Sequence, residues 1–128
     1  MRKLTVKQII SMHTRLVMET GGSDGIRDEG LLESAVNAPF QSFGGYDVYP
    51  TIYEKAARLG FGLALNHAFI DGNKRIAVLA MLMFLKGNNI EIDCTEFELF
   101  SVILKLASSE ITFDDLVKWI QNHEVPRH

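Results

Sequence analysis

A chain of 128 residues, 47% hydrophobic and 23% charged, has the length and apolar content for one domain with a buried core, which excludes a disordered polypeptide. Its net charge of −3 and pI near 5.8 exclude a general electrostatic attraction to nucleic acid or anionic membrane. A single cysteine, Cys94, excludes an internal disulfide and any multi-cysteine zinc site.

Helix signals then dominate in chain order. Met1-Arg2-Lys3 is followed by Leu4-Thr5-Val6-Lys7-Gln8, which is too polar for a signal-peptide core. Thr5-Val6-Lys7-Gln8 is instead a capping box, and the spacing predicts a helix from Val6 to about Glu19, with Ile9, Met12 and Leu16 on one face and Gly21-Gly22 as its stop. A second helix starts near Asp28, which can cap it, and ends before Pro39. Gln41 to Pro50 breaks the pattern. There Gly44-Gly45 between aromatic and β-branched residues suits a tight hairpin-like turn. Such a flap, carrying Phe43, Tyr46 and Tyr49, could hold an extended peptide by strand addition; the plainer expectation is a loop whose aromatics pack onto the core.

Thr51 to Glu54 is a second capping box, opening a helix from Tyr53 to Asn66. The next runs from Asn73 to Lys86 and is apolar nearly all round, which places it at the centre of a bundle. Its apolar run, Ile76 to Leu85, would span only about 15 Å, roughly half a bilayer core, so a cytoplasmic protein is expected. Gly87-Asn88-Asn89 ends it, and Ile90 to Asp93 alternates like a very short extended piece. A third capping box, Thr95 to Glu98, opens a helix over Glu96–Ala107, and Thr112 can cap a last one over Phe113–Asn122. The expectation is an all-α domain of six helices spanning residues 1–128.

The chemistry gathers in His67-Ala68-Phe69-Ile70-Asp71-Gly72-Asn73-Lys74-Arg75, a loop that feeds the start of the central helix. A helix start offers unpaired N–H groups and partial positive charge, and with Lys74 and Arg75 in the first turn the expected guest is a phosphate. Cations there oppose the helix dipole at roughly 0.3–1 kcal/mol each, a local penalty that points to function. His67 has the side chain best suited to take a proton from a hydroxyl near neutral pH. His13, His123 and His128 lack such surroundings and read as structural or exposed. Asp71 is a candidate Mg²⁺ ligand beside bound phosphates, or else a plain N-cap. Gly72 lets the backbone curl round an oxyanion, Asn73 adds an amide donor, Lys74 a point charge and Arg75 a planar fork. Phe69 is read as the anchor of the loop in the core.

Competing motifs fail. Gly60-Phe61-Gly62 has Leu65 where a dinucleotide fingerprint needs glycine, and no P-loop exists. His67 and Asp71 have no further ligand nearby to complete a zinc site, and no serine lies in a nucleophile elbow.

The nine residues resemble the signature of the Fic/Doc superfamily, His-x-Phe-x-Asp/Glu-Gly-Asn-Gly-Arg-x-x-Arg. Lys74 stands where Fic enzymes have glycine, and Val78 where they have a second arginine. Both departures resemble the Doc (death-on-curing) branch, as do Gly25-Ile26-Arg27-Asp28, Leu31-Leu32-Glu33-Ser34-Ala35 and Pro39. The resemblance implies a Fic-type helical bundle. It also implies a toxin of a toxin–antitoxin pair, a kinase that uses ATP and Mg²⁺ to phosphorylate a threonine of elongation factor Tu and so stops translation. Carried over, His67 is the general base, Asp71 the metal ligand, and Gly72, Asn73, Lys74 and Arg75 the phosphate cradle, with Lys74 and Arg75 also counted as catalytic. Two alternatives stay open: an AMP transferase of Fic type, and a catalytically silent binding module. The Fic inhibitory pattern Ser/Thr-x-x-x-Glu-Gly/Asn is absent, since Glu29-Gly30 is preceded four residues earlier by Gly25. Inhibition is therefore expected from a Phd-like antitoxin whose tail folds on an apolar groove of the first helices.

Overall fold

In the computed structural model, which describes residues 1–126, six helices follow in the order α1 (Val6–Thr20), α2 (Glu29–Asn37), α3 (Ile52–Leu65), α4 (Asn73–Gly87), α5 (Glu96–Ala107) and α6 (Phe113–Asn122). His128 lies outside the described residues. A 3₁₀ turn, Ala38–Phe40, built round Pro39, and a hairpin of β1 (Ser42–Phe43) and β2 (Tyr46–Asp47) separate α2 from α3.

Four helices begin on a threonine that closes its own helix. Thr5, Thr51, Thr95 and Thr112 each accept from the backbone N–H three residues on, and Gln8, Glu54, Glu98 and Asp115 return the bond to the threonine N–H. Asp28 caps α2 alone, accepting from Leu31 N at 3.0 Å. These boxes carry a pH signature. The N–H and then the hydroxyl of Thr95 hold Glu98 below the usual carboxylate range, and those of Thr112 do the same for Asp115. A carboxyl depressed in the folded state stabilises above its unfolded pKa, and that stability goes as pH falls through the folded value. Thermal melts are therefore expected to hold near neutrality and to drop below about pH 4. Glu98→Gln with Asp115→Asn should make that acid-side fall shallower, as melts between pH 7 and pH 3 would read directly.

Helices α3 and α4 share the centre: α4 packs against α1, α3 and α5, and α3 against α2, α4, α5, α6 and the 3₁₀ turn. Ile76, Ala77, Val78, Ala80, Met81, Phe84 and Leu85 are buried, among the core residues Ile9, Leu32, Leu63, Leu99, Ile103, Leu116 and Ile120. Gly60 lets α3 approach closely, because a side chain there would run into Met81. One stripe of α4 stays open, contrary to its all-round apolar pattern. Leu79, Leu82 and the exposed Met83 face a groove of about 860 Å³ that α1 and α5 flank without closing. Among the described residues no helix is long and apolar enough to cross a membrane.

The hairpin forms as its glycines dictate: Gly44 (φ +59°) and Gly45 (φ +84°) take the left-handed conformations of a two-residue turn, and Ser42 and Phe43 pair with Asp47 and Tyr46. Its aromatics divide between solvent and core. Phe43 and Tyr46 are 86% and 81% exposed, whereas Tyr49 packs edge-on against Phe113 at 5.6 Å. Buried Lys55 of α3 pins the hairpin by donating to Asp47 Oδ2 at 3.2 Å and to the Tyr49 carbonyl. The short extended piece after α4 is also present, with Ile92 bridged to Glu124 and Asp93 N donating to His123 O at 2.7 Å.

Candidate active site

The loop between α3 and α4 is held from both sides, and its position follows from backbone bonds before any side chain acts. Helix α3 ends at Leu65, and His67 takes a left-handed conformation (φ +51°) that turns the chain. Residues 25–28 then run antiparallel to it as a splint. Ile26 bridges to Phe69, Ile70 N donates to Gly25 O at 3.1 Å, and the N–H groups of Arg27 and Asp28 both donate to Ala68 O. The Arg27 side chain adds Nε to His67 O at 2.6 Å and Nη2 to Asn66 O at 3.3 Å. Arg27 therefore fixes the backbone that carries His67, a role its sequence position did not disclose.

Phe69 is buried as the anchor of the loop, and His13 of α1 stacks on it with ring centroids 3.8 Å apart. His13 is 0% exposed, and its Nε2 lies 2.6 Å from Asp71 O. Sequence reasoning left this residue aside. The signal was its place on α1, between Ile9 and Val17 at i+4 spacing on the buried face.

Asn73 braces the loop from the other end. Its Oδ1 accepts from Phe69 N and its Nδ2 donates to Phe69 O, both at 3.0 Å, so its side chain closes a ring with the backbone. What Asn73 offers a guest in the pocket is its backbone N–H. Asn73→Ala would leave both polar groups of buried Phe69 unpaired, at about 1–3 kcal/mol each, and should lower the denaturation midpoint clearly. Asn73→Asp keeps the acceptor and loses only the donor, so its loss should be the smaller of the two in urea unfolding.

Asp71 stands one residue before the cap position of α4, so the capping expectation does not hold. Its Oδ1 accepts from Gly72 N at 2.7 Å and its Oδ2 from Ser23 N at 3.3 Å, while Arg75 Nη2 lies 3.5 Å from Oδ1. The Gly72 and Ser23 N–H groups, and then the Arg75 guanidinium and His13, hold its carboxyl below the usual carboxylate range. The cap position itself is Gly72 (φ +76°), which supplies no side chain. Helix α4 thus starts without the side-chain cap that every other α-helix here has, and its first turn carries no acid. Among the described residues the N–H groups of Asn73, Lys74 and Arg75 meet no acceptor.

These donors open on a pocket of about 260 Å³ lined by His67, Asp71, Gly72, Lys74 and Arg75, with Ile70, Asn73 and Phe100 at its edges. The structure thus brings every sequence-predicted site residue to one place. Arg75 is held on α1 by Thr20 Oγ1 at 2.6 Å and Gly21 O at 3.0 Å, and it also borders the large groove. The arrangement brings together an imidazole, an ionised carboxylate, free N–H donors and two cations. It can bind and polarise a phosphoryl group beside a hydroxyl. Among the described residues no cluster of three or more His, Cys, Asp or Glu could hold a metal alone.

A helical bundle with this loop ahead of an uncapped central helix defines a class of protein, and the sequence profile of the Fic/DOC family matches residues 3–85. The chain belongs to the Fic/DOC family. Two curated relatives carry the name Doc. Toxin Doc of Mycolicibacterium smegmatis is 46% identical over 72 residues, covering 56% of this chain and 55% of the relative. The protein kinase doc of Escherichia phage P1 is 28% identical over 112 residues, covering 88% of this chain and 87% of the relative. The first of these matches therefore spans only about half of that relative's length.

Proposed function

We propose that this chain is a Doc-type toxin, a protein kinase that transfers the γ-phosphate of ATP to a threonine or serine hydroxyl of a translation factor, with elongation factor Tu the expected target. The observation that carries the reading is the uncapped start of α4, with His67 and the Asp71 carboxylate at the same small pocket. His67 accepts the hydroxyl proton as the hydroxyl oxygen attacks the γ-phosphorus; the bond to the β–γ bridging oxygen breaks and ADP leaves. The free N–H groups of Asn73 to Arg75, with Lys74 and Arg75, stabilise charge on the phosphoryl oxygens, and such positioning supplies most of the catalysis in this reaction class.

A half-exposed carboxylate on a phosphate pocket fits Mg²⁺, which takes one or two carboxylates together with phosphate oxygens and waters. Asp71 would hold it, and the ion would neutralise phosphate charge. Lys74 fills the subsite that a glycine leaves open, and Val78 brings no second cation. Both favour the γ-phosphate, rather than the α-phosphate, beside His67. The name of the phage relative supports kinase chemistry.

The name Toxin Doc supports pairing with an antitoxin, and a Phd-like chain is the partner we assign. Its seat is the groove between α1, α4 and α5, whose lining includes Met12, Leu16, Leu82 and the 78% exposed Phe97. A helix laid there would end against Arg75 and cover the pocket.

The test uses antitoxin-free protein in a bacterial lysate with Mg²⁺ and ATP labelled on either the γ- or the α-phosphate. Label from the γ-position alone on one dominant band supports the kinase. Label from the α-position makes the protein an AMP transferase, and label from neither leaves a binding module.

A further inference from the structure

The Asp71–Gly72 peptide joins the site loop to α4 at a glycine with a positive φ. Flipping a peptide plane changes mainly ψ of the residue before it and φ of the residue after. Glycine tolerates either sign of φ, so the sequence Asp-Gly alone does not hold one orientation. In the orientation observed, the Asp71 carbonyl points into the protein and Gly72 N–H points to the Asp71 carboxylate at 2.7 Å. The carbonyl meets His13 Nε2 at 2.6 Å. A carbonyl only accepts, so Nε2 carries the proton and His13 is the donor. Its ring cannot turn away, because it is fully buried and stacked on Phe69, itself tied to Asn73. The other ring nitrogen, Nδ1, has no hydrogen-bond partner among the described residues and lies 3.5 Å from Asp24 Oδ1. A buried polar ring on the apolar face of α1 costs desolvation that an apolar ring stacked on Phe69 would not.

The exit loop of α1 closes on the same residue. Ser23 N donates to the Asp71 carboxylate, and Gly22 sits so close that a Cβ there would lie 2.5 Å from Asp71 Oδ2. Asp71 is thus gripped at its carbonyl by α1 and at its carboxylate by the loop that follows α1.

We infer that His13 is a positioning residue, whose Nε2–H locks the Asp71–Gly72 peptide so that the Asp71 carboxylate and the first N–H groups of α4 face the phosphate pocket. The rate arm of its test rests on the kinase reading, whereas its structural arm does not. Methionine and glutamine are near-isosteric and both suit a buried helix position, but only glutamine keeps an N–H donor. In ¹⁵N-labelled His13→Met the Gly72 amide resonance is expected to move or split, and phosphoryl transfer to fall on the order of 10²-fold, as for a misplaced reacting group. His13→Gln is expected to keep the wild-type Gly72 resonance and most of the rate. An unmoved Gly72 amide in His13→Met overturns the inference, as does a His13→Gln variant as impaired as the methionine one. The glutamine variant also decides alone, since a displaced Gly72 resonance there counts against the lock. If the wild type transfers no phosphate while the Gly72 amide responds as described, the kinase reading fails and the lock stands.

Discussion

His67→Ala is expected to abolish phosphoryl transfer and toxicity while leaving a folded protein. Removing a general base lowers rates by about 10²–10⁴-fold. The ring of His67 is exposed and, among the described residues, makes no hydrogen bond; Arg27 holds only the backbone carbonyl. Alanine keeps that bond, and the left-handed conformation is already occupied by a residue with a Cβ. Stability should therefore change by less than about 1 kcal/mol, as for surface substitutions away from special contacts. Single-turnover transfer and a denaturation curve on the same preparation separate the two effects. A well-folded His67→Ala protein that still arrests growth would remove His67 from the reaction.

Asp71→Asn is expected to act through charge rather than shape. The carboxylate accepts from Gly72 and Ser23 and faces Arg75, so all three neighbours are donors. Asparagine satisfies one with its oxygen and sets its own NH₂ against another. The expected outcome is a loss on the order of 10²–10³-fold in transfer rate, comparable to deleting one electrostatic stabiliser, together with a raised Mg²⁺ requirement. A metal titration of the transfer rate checks it. An unchanged metal dependence would exclude Asp71 as the ligand. Because its neighbours keep this carboxyl below the usual range, it stays ionised across the neutral range where the assay runs.

The helices were readable because threonine caps and i+4 apolar spacing are local signals, and the hairpin because two adjacent glycines admit few other turns. The candidate pocket was readable because most of its lining residues lie close together in the sequence. What escaped comes from elsewhere in the chain. Gly22 read as a helix stop, yet its missing Cβ makes room for the Asp71 carboxylate. Asn73 read as a donor to the ligand, yet its amide is taken by the backbone of Phe69. His13 counts as polar in a periodicity reading, so the buried face of α1 was drawn through Met12 and Leu16, which are only half-buried, instead of His13 and Val17. The open stripe of α4 was invisible for a related reason: periodicity says which face is apolar, not whether a neighbour is long enough to cover it.

The bare start of α4 sets heat resistance against the proposed chemistry. The first turn carries Lys74 and Arg75 and no acid, an arrangement that leaves stability unclaimed. Glutamate at position 74 would recover roughly 0.3–1 kcal/mol from the helix dipole while repelling any phosphate. Under the proposed function, a library of this protein screened for thermal survival alone should enrich acids at 74 and drift toward inert scaffolds, so any screen for sturdier variants has to select for phosphoryl transfer in the same round.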